Sequence, residues 1–185
     1  MNAILRYLLL TAVYGLGGFL HAKFETTATP VDKLTVKDGF RAELLYTVPK
    51  AIQGSWVAMC HDDKGRIIVS DQFGGLYRFK PPAPGKVLQA ADIEAIPAKI
   101  RAANGLLWAN GALYVGVNDY ERKFPSGLYK VTDSNGDDMP DKVELLREMF
   151  ARGNHGIHAI LPGPQNTLYL ITGNNTTPLR TRKSR

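Results

Sequence analysis

Cysteine is nearly missing from this chain: Cys60 is the only one in 185 residues. That excludes an internal disulfide. It also excludes covalent haem attachment, because the motif needs a second cysteine three residues earlier and Val57 stands there. Cys60 closes the apolar run Trp56 to Cys60, where a small thiol packs as a hydrophobe. A basic stripe with interleaved aromatics is also missing. Of 23 lysines and arginines, Arg6 lies near the start and four lie at 180, 182, 183 and 185, which leaves 18 against 17 acidic residues between Lys23 and Leu179. A body so nearly neutral gives nucleic-acid binding no support. Long hydrophobic runs are missing as well. The run from Tyr7 to Leu20 has 14 residues, short of the ~20 that span a bilayer as a helix.

That short run instead has the layout of a secretory signal. Arg6 is the positive flank, Tyr7 to Leu20 the apolar segment, and Leu20-His21-Ala22 ends on a small residue suited to cleavage. Residues 1–22 are expected to be removed, leaving no transmembrane span and an exported chain, periplasmic or extracellular. Residues 23–39 read as a polar lead-in, Phe40 to Val48 as a first strand, and 180–185 as a loose basic tail.

Between them a unit recurs three times. An apolar run precedes each of the turns Asp63-Lys64-Gly65, Ala109-Asn110-Gly111 and Pro164-Gln165-Asn166. A second run follows each: Ile67 to Val69, Leu113 to Val115, Leu168 to Leu170. Glycine and asparagine tolerate the positive φ of short hairpin turns, so these are β-hairpins. Gly65 and Gly111 are 46 residues apart and Gly111 and Asn166 are 55 apart, a period suited to four-stranded propeller blades. The expected fold is all-β: residues 40–179 form about three blades of a probable six-bladed β-propeller. Such a ring typically needs 4 to 8 blades, so the chain is expected to be the front of a larger propeller, a truncated product or one part of an assembly.

Asp133 to Glu144, DSNGDDMPDKVE, places side-chain oxygens at positions 1, 3, 5, 9 and 12: Asp133, Asn135, Asp137, Asp141 and Glu144. Calcium takes 6 to 8 hard oxygen ligands, and this spacing can wrap one ion. Position 6, a glycine in EF-hand loops, is Asp138. Pro125 and Gly127 leave no room for an incoming helix, while Leu128 to Val131 and Lys142 to Leu146 read as strands. Two readings stand: a calcium-binding hairpin loop, or an acidic Asn-Gly turn that needs no metal.

His155 and His158, three apart, would share a face on a helix but not on a strand. The surrounding glycines and the β-rich run that follows favour a strand, which makes a shared metal ion a poor reading. His155 then falls just before an innermost strand, at the channel mouth where propellers bind ligands. His158 lies inside that strand as a packed or hydrogen-bonded structural histidine.

From about Lys33 to Leu179 the chain resembles the N-terminal propeller of planctomycete-type membrane-bound dehydrogenase domain proteins. The likeness rests on DGFRAELLYTVP, GLLWANGALYVGVN, SNGDDMPDKVELL and NHGIHAILPGPQNTLYLITGN. More remotely it is similar to soluble pyrroloquinoline-quinone sugar dehydrogenases, which are six-bladed. In that family a catalytic histidine lies eight residues before a Gly-Pro turn; here His155 lies eight before Gly163-Pro164. The resemblance implies that His155 is a general base. It would take a proton from a sugar or alcohol hydroxyl while hydride passes to pyrroloquinoline quinone, with calcium polarising the quinone. Asn104 to Leu107 resembles a segment near the quinone, with Ala103 at a position that is polar in the family. The remaining quinone contacts would lie in later blades, so no turnover is expected from these residues alone. The alternative is a non-catalytic propeller that binds a protein or glycan partner, with 133–144 as a calcium-stiffened loop.

Overall fold

A computed structural model of the chain describes residues 28–151 and 155–178. The expected signal (1–22), the first residues of the lead-in, Gly153 and Asn154, and the basic tail lie outside them. The described residues are mostly β-strand, arranged in antiparallel sheets. Among them no helix is long and apolar enough to cross a membrane.

Two sheets share one plan, each strand pairing with the next along the chain. The first is β1 (Trp56–His61), β2 (Ile67–Asp71), β3 (Leu76–Phe79) and β4 (Glu94–Ile96). The second is β5 (Ala103–Ala109), β6 (Ala112–Val117), β7 (Gly127–Thr132) and β8 (Lys142–Ala151). A third unit pairs β9 (Ile157–Pro162) with β10 (Leu168–Thr172), and the chain then returns as β11 (Thr176–Pro178) along β8. All three expected turns join strand pairs. Gly65 has φ 73°, Asn110 and Gly111 have 51° and 68°, and Gln165 and Asn166 have 55° and 59°. At these angles a β-branched side chain would be strained.

The core forms where the sheets face each other. Ile68 and Leu76 of the first sheet meet Leu106, Leu113, Val115, Val117, Tyr129 and Val131 of the second, all buried. Period-2 alternation accounts for this: on β7, Leu128, Lys130 and Thr132 are half-buried while Gly127, Tyr129 and Val131 are buried. The opposite face of the first sheet carries Val69, Phe79 and Leu88, with Trp56 stacked between Tyr46 and Phe79 at centroid distances of 5.6 and 5.9 Å.

Residues 40–48, expected as the first strand, are not one. Leu45 and Tyr46 pack on the face of the first sheet rather than along its edge, where a ladder cannot form. The Leu45 carbonyl accepts a bond from the Leu88 amide (3.0 Å), and the Glu43 carboxylate accepts one from the Gly85 amide (2.9 Å).

Candidate functional site at the His155 end

The first strands of the units lie side by side, β1 against β5 and β5 against β9. Two contacts fix their relative direction. Gly105 on β5 backs onto the His158 carbonyl on β9, and Asn118, just past β6, lies against Gly156 at the entrance to β9. The starts of β5 and β9 therefore share one end of the molecule, together with the loop that follows β6.

At that end His155 is exposed. Among the described residues its backbone is what is held: the carbonyl accepts a hydrogen bond from Thr176 Oγ1 (3.2 Å), and Gly173 packs closely against the same peptide. The Gly173 amide donates to the Gly156 carbonyl at 2.7 Å, closing the ends of β9 and β10. A histidine held by its main chain and open at its ring can meet a ligand from solvent. His158, expected to be a packed or hydrogen-bonded structural histidine, is not packed but exposed on β9. The register of β9 shifts opposite Ile171 and Thr172, so both Ile157 and Ile160 point into the core and His158 is turned outward.

Residues 102–104 lie beside this entrance. The Ala102 carbonyl accepts from the Asn118 amide (2.9 Å) and from Asn104 Nδ2 (3.0 Å). Ala102 holds φ 53° to do so, a strained angle for a residue with a Cβ. The segment thus comes within one residue of Gly156. Ala103 is fully buried and Leu106 belongs to the core, while Asn104, Leu107, Trp108 and Ala109 of β5 are half-buried.

Asn118 and Asp119 were not singled out from sequence. The available signal was an Asn-Asp pair directly after the apolar run Leu113 to Val117. Asp119 is 2% exposed. One of its oxygens accepts the Glu121 amide at 3.0 Å, the other lies 3.8 Å from Arg101 Nε, and its own amide donates to Ser126 Oγ at 3.0 Å. The loop is pinned again where the Tyr129 hydroxyl donates to the Pro125 carbonyl (2.6 Å), and burial pushes that phenol up to about 12. Beside the loop opens a cavity of about 290 Å³, lined by Asp119, Arg122, Lys123, Phe124, Ser126 and Phe150 among others, with the Arg122 guanidinium 5.6 Å above the Phe150 ring.

The acidic segment lies at the other end. Asp133 Oδ1 accepts the amides of Asn135 (3.1 Å) and Gly136 (2.7 Å), and Oδ2 accepts that of Asp138 (2.7 Å). Asn135 Oδ1 accepts the Asp137 amide (3.0 Å), and Asp137 accepts the Met139 amide (2.8 Å) and Asn135 Nδ2 (3.0 Å). Asp141 takes the Ser134 amide (2.9 Å) and hydroxyl (2.7 Å). Glu144 is exposed on β8 opposite Lys130. The five expected ligands are brought into one region but not around one point. Among the described residues no group of three or more acidic, histidine or cysteine side chains is disposed to hold a metal ion.

Comparisons with protein-family models, with curated proteins and with solved structures gave no match.

Proposed function

We propose that the three strand units are consecutive blades of a β-propeller in an exported protein, and that the end bearing His155 receives a small hydroxylated molecule. One observation carries this reading: His155 is exposed, held by its backbone, at the end where β5 and β9 begin. Ligand sites in repeat folds gather where such strand ends and their loops converge. The resemblance supplies the reaction class, oxidation of a sugar or alcohol. In it the His155 imidazole accepts the hydroxyl proton as the carbon loses hydride. The hydride acceptor would be a quinone, as in the resembling family.

Calorimetric titration with a panel of monosaccharides and polyols tests the reading. Heat is expected with at least one and is expected to disappear in His155→Gln. Silence across the panel would overturn it.

A second reading, a non-catalytic propeller that docks a protein or glycan, is favoured by a different observation. Leu161, Tyr169 and Ile171 are about half exposed. Leu161 and Tyr169 are register partners and Ile171 is two residues further on, so the three form one apolar face.

A further inference from the structure

The segment 133–144 departs from a calcium loop at one residue, Asp138 in place of glycine, and the structure gives that departure a use. Asp138 has φ 70°. The backbone there does need the left-handed conformation that glycine adopts most readily, so an aspartate at this position is strained. Its compensation lies on the neighbouring sheet. Arg66 Nη1 and Nη2 donate to the two carboxylate oxygens at 2.6 and 3.0 Å, a fork-to-fork pair. Lys64 Nζ adds a contact at 2.9 Å. Arg78 Nη1 donates to the Asp138 carbonyl, and its Nη2 lies 2.9 Å from the Met139 sulfur. Lys64 lies in the β1–β2 turn, Arg66 directly before β2 and Arg78 on β3, all part of the first sheet's unit, whereas Asp138 belongs to the β7–β8 loop of the second.

Behind them the guanidinium groups are themselves held. Asp62 accepts Arg66 Nε at 2.6 Å and Glu94 accepts Arg78 Nε at 2.7 Å. The arginine side chains are only 16% and 6% exposed, so solvent screens them less than it screens an ordinary surface pair. We infer that the 133–141 loop is an electrostatic latch fastening the second sheet to the first, and that its acidic spacing builds the latch rather than a cage for a divalent cation. Asp133 bonds three amides and so gives the loop the shape that presents Asp138. The three cations of the first sheet that meet the loop disfavour entry of a fourth positive centre.

Hydrogen exchange at the Asn135, Gly136 and Met139 amides, followed in the intact chain and in Asp138→Gly, tests the latch. The variant removes backbone strain, so a residue serving only the turn would leave exchange unchanged or slowed. The latch predicts exchange faster by on the order of tenfold, as expected when a locally closed segment loses its anchor. In the unmodified chain, raising salt from about 0.1 to 1 M shortens the screening length from about 10 to 3 Å and is expected to speed the same amides. This arm stands even if the variant does not fold. Calcium at about 10⁻³ M, the range of extracellular modules, is expected to change nothing. Exchange in Asp138→Gly no faster than in the parent, salt-insensitive exchange in the parent, or slowing by calcium would each overturn the inference.

Discussion

The side chain of Asn118 occupies the space that a Cβ on Gly156 would need, with Cγ 2.2 Å from that position. This contact joins the loop after β6 to the entrance of β9 and sets where His155 emerges. Gly156→Ala is therefore expected to destabilise the chain by about 1–3 kcal/mol, the usual result of overpacking. Thermal melting checks it. Asn118→Ala in the same background should recover part of the loss, whereas two additive losses would mean that the residues do not compete for one space.

The core between the first two sheets gives a second expectation. Leu113 is fully buried at the centre of the cluster, so Leu113→Ala should cost about 2–5 kcal/mol. Leu146, 42% exposed on β8, should tolerate alanine within about 0.5 kcal/mol. Urea titration of the two variants compares them directly.

Acid should loosen the latch end. Hydrogen bonds from Arg66 and then Lys64 hold the Asp138 carboxyl well below the usual carboxylate range. Asp141 is lowered by Ser134, and Asp133 by loop amides that outweigh its desolvation. Carboxyls depressed in the folded state favour it while ionised. Their contribution is present above the ordinary carboxylate value of about 4 and fades as pH falls from there through the lowered values. Melting temperature should therefore drop below about pH 4, and the drop should be smaller in Asp138→Asn. Identical acid profiles for the two proteins would contradict this.

Cys60, partly buried on β1, has its thiol pushed up to about 12, chiefly by desolvation. The thiolate is the reactive form, so a disulfide reagent at pH 8 should label the native chain slowly and the urea-unfolded chain at the rate of a free thiol. Equal rates would show that β1 does not shield it.

What could be read from sequence was local. Asp63-Lys64-Gly65, Ala109-Asn110-Gly111 and Pro164-Gln165-Asn166 were legible as hairpin turns because positive φ leaves a chemical signature. The paired runs on either side followed from them. Residues 40–48 misled because Phe40, Leu44, Leu45 and Tyr46 suit a strand, and only tertiary packing decides whether such a run joins an edge or covers a face. His158 was expected to be structural because it lies inside a strand, and a register shift in β9 that no local rule foretells turns it outward. The pairing of Arg66 with Asp138 spans 72 positions, and no local rule reaches that far. Its one trace was the missing glycine at Asp138.

The most direct test of the ligand reading is amide chemical-shift mapping of the chain with the sugar or polyol that gives the largest calorimetric heat. Shifts confined to the amides of His155, Gly156, Asn118 and Asn104, and lost in His155→Gln, are the result expected. Shifts that leave these four unmoved and fall instead on Leu161, Tyr169 and Ile171 would contradict it.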